Sequence, residues 1–443
     1  MKKLLIILIC LAVVCAAGLP IANGILMERT IKSIVEENNN TAAKTAAGFQ
    51  MKILEYDRGL FSSRVKWRIE TANGFPGSQT AQLVLVDKGT HRFFGVNSQT
   101  SLEENPWYMQ WVNTHLNGKD PLSIQSRFSL AGTMDTTIHM APFFIEDKGK
   151  KVDIHALDFD VSMGKGFKTL DAKGRWEGLS QGRELVMGPA MFTSDLYQLT
   201  DTIWAGKNTF SLQQLKIDDG KSNPVDISGL SLNSDISASA DKRTTLMSMN
   251  FHMDRIELGD KPLSDWAGTL KLKQVDTASF EQLMRLYSNM MTQAGQHAGK
   301  TGKNPDEFQK ILKDEMARNT PELLSALKGL LKKGLGMEIC GLDIDLPEGK
   351  ATGSLDIKLK KDLDPSNLFT FAMQPEMIFS FFELDAQFSL PYALASGIPN
   401  LTEPLFPGMA TGFFVIKNDL LSLDMHIKEE KLFLNGNQVI LNP

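Results

Sequence analysis

The sequence predicts an α+β, mainly-β fold: an extended antiparallel sheet of many hairpin-connected strands with a small helical insert, behind one N-terminal transmembrane helix. Three observations predict it. The chain opens with a long uncharged stretch, most of the remainder alternates apolar with polar residues, and one internal block repeats its apolar residues at helical spacing. These patterns divide the chain into five regions: 1–27, 28–50, 51–276, 277–334 and 335–443.

The first region, 1–27, is predicted to be a transmembrane anchor or a signal segment. No charged residue occurs from Leu4 to Met27, and the apolar core Leu4–Ala22 would span about 28 Å as a helix, close to the thickness of the hydrocarbon layer. The two lysines before it orient the N-terminus to the cytoplasm, so the rest of the chain is exported. A cleaved signal peptide is the alternative, because Cys15–Gly18 offers small residues.

Charge and cysteine content exclude some classes of protein. The net charge is −5 and no basic stripe occurs, so nucleic acid is a poor candidate partner. Cys10 and Cys15 lie inside the apolar segment, which leaves Cys340 as the only cysteine of the exported part. No intramolecular disulfide is expected there, and the stability of the fold must come from burial.

Region 28–50 is predicted to be a helical stem, and period-two strands follow it. Ile31 and Val35 recur at helical spacing, whereas in Arg64–Glu70 the apolar residues point one way and the charges the other, which predicts a half-buried strand. Successive strands without helices between them indicate an antiparallel sheet. Similar runs recur, separated by Gly, Asn and Asp turn signals, at Gln82–Val86, Ile124–Leu130, Val152–Val161, Leu212–Ile217, Leu230–Ile236, Met247–Ile256, Gly268–Leu272, Leu355–Leu359, Ile378–Leu390, Leu421–Ile427 and Leu432–Leu434.

Region 277–334 is predicted to be a helical insert of three helices. Apolar residues recur at helical spacing from Phe280 in the first helix and from Phe308 in the second. Thr320 followed by Pro321 provides the N-cap and first position of the third. Its leucine stripe could face another chain, and consists of Leu323, Leu327, Leu330 and Leu331.

No catalytic, cofactor-binding or metal-binding constellation is found, and we expect no enzyme activity. None of the seven histidines stands at ligand spacing with a cysteine or another histidine, and no phosphate-cradle or nucleophile-elbow motif occurs. Ser62-Ser63 has no histidine nearby in sequence. Asp158 and Asp160 share a predicted strand face, and Glu383 and Asp385 lie in another predicted strand. We interpret these carboxylates as the solvated sides of strands rather than as a glycosidase-type pair.

Two stretches are candidate interaction sites. In the first, Gly59 supplies a turn, Phe61 is expected to anchor the turn in the core, and Tyr56 and Arg58 are suspected of contacting another group. The second is the apolar loop 391–414, which its prolines should keep out of a helix or central strand. It is either buried under the sheet or in contact with lipid or another chain, and its candidate contacts are Leu405, Phe406, Phe413 and Phe414.

Several stretches together resemble the YdgA-like family of bacterial envelope proteins, which is defined by a domain of unknown function. Tyr56–Ser63 resembles the family's Tyr, Arg-Gly, Phe-Ser-Ser signature, Thr277–Gly334 its helical middle, and Lys431–Gln438 its closing strand and Asn-Gly turn. The resemblance covers nearly the whole chain. Departures occur at Lys88–Phe93, where the family often has His-Gly-Pro, and in the loop 391–414, which stands where the family has a helix.

The resemblance implies a single-pass inner-membrane protein of Gram-negative bacteria, with its body in the periplasm, no assigned activity and homodimeric assembly. Combined with the residue pattern, it leads us to expect a non-enzymatic protein that binds or scaffolds in the cell envelope, with a lipid or lipoprotein held in an apolar groove. A protein–protein interaction module is the alternative, and an envelope hydrolase is the least favoured. No cofactor is expected.

Overall fold

The computed structural model describes residues 22–33, 35–36, 39, 49–71, 82–147, 149–218, 220, 224–258, 261–301, 305–366, 371, 374, 377–397 and 412–439. Within these ranges, no helix is both long and apolar enough to cross a membrane. Residues 1–21 of the predicted anchor or signal segment lie outside the described residues. The prediction of a mainly-β chain with a large antiparallel sheet is confirmed.

The chain divides into two compact units. The first is drawn from 1–181, 191–204 and 284–319, and the second from 182–190, 205–283 and 320–443. In the first unit, β1 to β6 form a meander that continues through β9 and β10 to β13, while β7, β8 and β11 pair separately. Its strands are β1 Phe49–Arg58, β2 Ser62–Thr71, β3 Gln82–Arg92, β4 Gly95–Ser101, β5 Leu122–Ser129, β6 Met134–Met140, β7 Phe143–Asp147, β8 Lys150–Ile154, β9 Leu157–Met163, β10 Thr169–Trp176, β11 Leu179–Gln181 and β13 Ala190–Gln198.

Strands of the second unit are longer and pair mostly in chain order. The order is β12, β14, β15, β16, β17, β18, β19, β20 and β22, and each strand pairs with the next. Strands β21 and β23 also pair with β22, and β24 pairs with β23. Their bounds are β12 Leu185–Met187, β14 Trp204–Ile217, β15 Val225–Ala238, β16 Thr244–Leu258, β17 Lys261–Asp276, β18 Gly336–Leu346, β19 Gly349–Leu359, β20 Phe382–Pro391, β21 Val415–Lys417, β22 Leu420–Lys428, β23 Lys431–Leu434 and β24 Asn437–Val439.

The helices of the described chain flank these sheets. Three of them occupy the block whose periodicity predicted a helical insert, and Ala326 and Leu330 of the third are buried within its own chain. The leucine stripe of that helix is therefore used, in part, for packing inside the protein. The helices are α1 22–33, α2 Pro106–Leu116, α3 Thr277–Thr301, α4 Pro305–Arg318, α5 Thr320–Leu330, α6 Ile378–Phe381 and α7 Tyr392–Gly397, with one 3₁₀ turn at Lys165–Phe167.

Two helices build the core of the first unit. Met27 and Ile31 of α1 are 0% and 6% exposed and pack on Val65, Val96 and Phe128 of the sheet. On the same principle, α2 buries one apolar stripe against β3 and the loop after β4. The first residues of the predicted stem, 28–33, thus belong to helix α1, whose apolar side covers the sheet.

Some strand predictions need correction. The run Val152–Val161 is two strands, because the chain breaks at His155-Ala156 and the two halves pair with different partners. The run Ile378–Leu390 begins as the short helix α6, whose Phe379 and Phe381 are buried. The start of the loop 391–414, expected to be non-helical, forms α7.

Candidate functional site

The turn between β1 and β2 carries the first predicted interaction site. The Gly59 amide donates to the Ser62 carbonyl at 2.8 Å, which closes the turn, and the Phe61 carbonyl accepts from the amide of His91 at 2.8 Å, which ties the turn to β3. The expectation that Phe61 anchors the turn in the core was wrong: this side chain is 54% exposed. The hydrogen bonds of its backbone, rather than burial of its ring, fix the turn.

A buried serine–histidine pair lies next to this turn. Ser63 Oγ is 2.7 Å from His91 Nε2, and His91 Nδ1 is 3.2 Å from the Leu60 carbonyl. A carbonyl can only accept, so in the neutral imidazole Nδ1 carries the proton and Nε2 accepts from the hydroxyl. Ser63 and His91 are 5% and 4% exposed, and an added Cβ on Gly24 of α1 would lie 2.3 Å from His91 Cε1. This pair is therefore a buried hydrogen bond that joins β2 to β3 beneath α1.

Tyr56 and Arg58, both suspected of contacting another group, contact α1. Arg58 pairs with Glu28 at 2.8 Å, and the Tyr56 hydroxyl lies 3.5 Å from the Gly24 carbonyl. Burial raises the pKa of Tyr56, so the phenol stays protonated. The first predicted site is thus a dock for the helix that follows the apolar N-terminal segment.

An aspartate lies buried in the same layer. Asp87 is 6% exposed and accepts hydrogen bonds from Trp67 Nε1 at 2.6 Å and from the Thr100 hydroxyl. Burial raises its pKa above the ordinary 3.8, and the two hydrogen bonds only partly oppose this. Burial in the first unit therefore disfavours the ionised form of this carboxyl.

The second unit presents an unbroken apolar face. Residues directly opposite each other in antiparallel strands point to the same face. One row that crosses eight strands is apolar throughout: Ile236, Met247, Leu272, Met337, Ile357, Leu384, Ile427 and Leu432. The adjacent row on that face is apolar after its first member: Ser234, Met249, Leu270, Ile339, Leu355, Ala386, Met425 and Leu434.

The opposite face is polar. Its row between the two apolar rows consists of Asp235, Ser248, Lys271, Glu338, Asp356, Asp385, His426 and Phe433. Here Glu338 pairs with Lys271 at 2.9 Å and also with Lys273, and the hydrogen bond from Lys273 is the largest cause that lowers the pKa of Glu338 to about 2. The sheet of the second unit is therefore amphipathic, with water on one side and an apolar surface on the other.

Where the apolar face crosses β19 and β20, packed side chains form a wall at each end of these strands. At one end Leu359 is buried with Phe381 against Leu331 of the α5 end. At the other, Leu390 and Leu421 are covered by Leu394 and Phe414. Between these walls Leu232, Met249 and Phe388 remain 38%, 44% and 37% exposed. We refer to the walled apolar face as the trough.

The second predicted site contributes to one wall of this trough. Phe414 packs on Leu390 and Leu421, and its ring lies edge-on to Phe413 with centroids 5.0 Å apart. Asn435 of the β23–β24 turn holds the segment by donating to the carbonyls of Gly412 and Phe413. Leu405 and Phe406 lie outside the described residues.

The carboxylates weighed for hydrolysis lie on solvated strand faces. Asp158 is paired with His139 at 2.7 Å, Asp160 accepts from Thr137 at 2.7 Å, and Asp385 lies 3.2 Å from His426. Among the described residues, no group of three or more His, Cys, Asp or Glu could hold a metal ion.

Sequence reasoning missed His91 and the trough as a specific set of residues. His91 stands 28 positions from Ser63, so no local pattern joins them. Register was the missing information, because it decides which strand positions meet. The signals available were the alternation in each strand and the departure from the family's pattern at Lys88–Phe93.

This fold and site define a mainly-β protein with an open, amphipathic sheet behind an apolar N-terminal segment. The chain belongs to the family described as bacterial protein of unknown function (DUF945), whose model matches residues 1–442. It is similar to protein YdgA of Escherichia coli (strain K12), with 22% identity over 403 residues that cover 84% of this chain and 78% of that protein. The resemblance to the YdgA-like family is confirmed. No solved structure matches the chain.

Proposed function

We propose that the protein is a non-enzymatic, membrane-tethered protein of the cell envelope that binds a lipid, or the acyl chains of a lipoprotein, in the trough of its second unit. The observation that supports this most is the apolar row from Ile236 to Leu432, which crosses eight paired strands with a charged row behind it. An amphipathic sheet normally buries its apolar face against a second layer. Here Leu232, Met249 and Phe388 remain exposed, and we infer that a ligand takes the place of the second layer over them.

The size of the trough suits an acyl chain. Seven inter-strand spacings of about 4.8 Å separate the eight strands, so the apolar rows extend roughly 34 Å across the sheet. The chains of one lipid leaflet occupy about 15 Å, half of the hydrocarbon layer. One phospholipid fits lengthwise with its headgroup outside the apolar rows, and the walls at Leu359 and Leu390 keep it from leaving sideways.

The proposed location rests on the N-terminal segment. The uncharged run Leu4–Ala22, with Lys2 and Lys3 directly before it and Glu28 and Arg29 the first charges after it, supports a single-pass tether with the N-terminus in the cytoplasm and the body in the periplasm. A tether beside the membrane places the trough close to a source of phospholipid and lipoprotein.

A photo-crosslinking experiment tests the trough. Met249 and Asn250 are adjacent in β16, both are exposed, and they point to opposite faces of the sheet. A photoreactive benzophenone amino acid at each position in the full-length protein, activated in intact cells, should form lipid adducts only at 249. Equal amounts of lipid adduct at both positions, or no adduct at 249 while the protein is folded, would contradict the trough proposal.

The alternative is a homodimer formed through the helical insert. Its support is a group of exposed apolar side chains on α3 and α4, namely Met284, Tyr287 and Met316 at 41%, 51% and 50%. Sedimentation of the solubilised full-length protein tests it. A monomer at micromolar concentration would remove this alternative, and a dimer lost on Tyr287→Glu but kept on Leu324→Glu would support it.

A further inference from the structure

A cluster of exposed apolar side chains lies at the turns of the first unit. Leu60 and Phe61 in the β1–β2 turn are 64% and 54% exposed, Phe93 and Phe94 in the β3–β4 turn 48% and 75%, and Leu130 after β5 46%. We call these five residues the tip cluster. Burying large apolar side chains is the dominant favourable term in folding, so five of them left in water indicate a surface that is covered by a partner.

The tip cluster is one surface because strand register brings its three turns to the same end of the sheet. Ser62 at the start of β2 pairs with Thr90 near the end of β3, and Gly95 at the start of β4 pairs with Ser129 at the end of β5. The amide of His91 also donates to the Phe61 carbonyl at 2.8 Å, which joins the first two turns directly.

Turn chemistry does not account for the two phenylalanines. Arg92 pairs with Gly95, so Phe93 and Phe94 are the two central residues of a two-residue hairpin. Neither phenylalanine has a positive φ, and the unusual backbone angle of this turn falls on Gly95, at φ 149°, so the turn itself does not require a ring at either position. Neither phenylalanine is needed for the turn or buried in the core, so we infer that their side chains contact something outside the chain.

The apolar N-terminal segment enters the first unit at this same end. Asn23, 1% exposed and near the start of α1, donates through Nδ2 to the carbonyls of Arg92 at 2.5 Å and Phe93 at 3.2 Å. Ala22 is the last residue of the apolar run and the first described residue of α1. Since Met27 is fully buried under the sheet, the end of the apolar run is held beside the β3–β4 turn.

Three exposed basic residues lie at the same end of the sheet as the tip cluster. Arg92 is exposed, and Lys165 and Lys168 are exposed in the β9–β10 turn, which the pairing of Met134 with Met163 brings to the same end. Aromatic rings with flanking lysine and arginine are the composition that proteins use at the headgroup level of a bilayer containing anionic lipid.

We propose that the tip cluster inserts into the headgroup–acyl boundary of the same phospholipid bilayer that holds residues 4–22. The first unit would then contact the membrane at two places, through the apolar segment and through the turns. These two contacts would fix its orientation relative to the bilayer, which a single tether would not do. This inference rests on the membrane tether of the proposed function, but it does not depend on lipid binding in the trough.

Quenching of a fluorescent label tests the proposal on the full-length protein in vesicles of phosphatidylcholine with a minor share of phosphatidylglycerol. Phe94→Cys carries the label at the tip, and Phe144→Cys, in β7 and 51% exposed, is the matched control. Both are made with Cys10→Ser, Cys15→Ser and Cys340→Ser. A bilayer-embedded quencher should reduce emission at position 94 roughly twofold or more beyond position 144, while aqueous iodide should quench in the opposite order.

Flotation with the vesicles separates the possible failures. A protein that does not float with them overturns both the tether and the tip insertion. A protein that floats but whose label at 94 is quenched by iodide as strongly as the label at 144 keeps the tether and overturns the insertion. A label at 94 shielded from both quenchers also overturns it, because a protein then covers the turns.

Discussion

Ser63 Oγ lies 2.7 Å from His91 Nε2, and this buried contact joins the start of β2 to the end of β3 beneath the N-terminal helix. The other imidazole nitrogen faces the Leu60 carbonyl, and Gly24 of α1 lies against the ring edge. The imidazole of His91 therefore contacts the β1–β2 turn, the start of β2 and α1 from one buried position. The Ser-Ser of the family signature is in this way part of the attachment of the helix.

Ser63→Ala should destabilise the first unit by about 1–3 kcal/mol, because it leaves His91 Nε2 buried without a donor. Ser62→Ala, at the exposed neighbouring position, should change stability by less than about 0.5 kcal/mol. Urea unfolding followed by tryptophan fluorescence measures both. Equal midpoints for the two variants would show that the pair contributes nothing to the attachment.

Gly24→Ala should loosen α1 even though alanine favours helices. A Cβ at this position would meet His91 Cε1 at 2.3 Å, so the helix has to move away, at a cost of about 1–3 kcal/mol. Ser33→Ala, on an exposed part of the same helix, gives a smaller gain in helix propensity without the clash. Trypsin cleavage after Arg29 and Lys32 should be faster in Gly24→Ala only. Protection equal to the control would contradict the dock.

Asp87→Asn should change the pH dependence of stability. A carboxyl whose folded-state pKa is raised binds its proton more tightly in the folded protein, so the wild type loses stability as pH rises from 3.8 through the raised value. The asparagine variant lacks this loss but keeps only one acceptor for Trp67 and Thr100. The wild type should therefore lose stability relative to the variant as pH rises above about 4, by about 1.4 kcal/mol for every tenfold difference in proton affinity between the folded and unfolded carboxyl.

Urea midpoints of both proteins at several pH values measure this trend. Asp57→Asn, in an exposed position of β1, is the control and should track the wild type. A constant difference between wild type and Asp87→Asn across the range would mean that Asp87 is not buried as the structure has it.

Local signals were enough for the class of fold. Alternation placed Val65 inward, where it is fully buried, and Arg64 outward, where it pairs with Glu103 and Glu104. The Thr320-Pro321 signal gave the start of α5. Such predictions succeed because they depend on periods of two and 3.6 residues, which are written in the adjacent sequence.

Features set by strand register could not be predicted in the same way. Helix α2 was missed although Asn105-Pro106 opens it, because its tryptophans and tyrosine suit a strand equally well. The trough needs the pairing of eight strands before Met249 and Leu270 are known to share a face. A one-residue slip would move a whole strand's apolar set to the other face, so the site is a property of the sheet rather than of any segment.

Glu338→Gln should weaken the second unit at neutral pH, and the effect should fade in acid. The pKa of Glu338 is lowered from 4.5 to about 2 chiefly by hydrogen bonds from Lys273 and Lys271, so its contribution is present above pH 4.5 and is lost as pH falls towards 2. Because these side chains are partly exposed, the loss at pH 7 should be about 0.5–1 kcal/mol. Urea midpoints at pH 7, 4 and 3 should show the gap from wild type closing, whereas Glu348→Gln, in the exposed β18–β19 turn, should show no gap at pH 7. A gap for Glu338→Gln that stays constant down to pH 3 would contradict the ion pairs on the polar face.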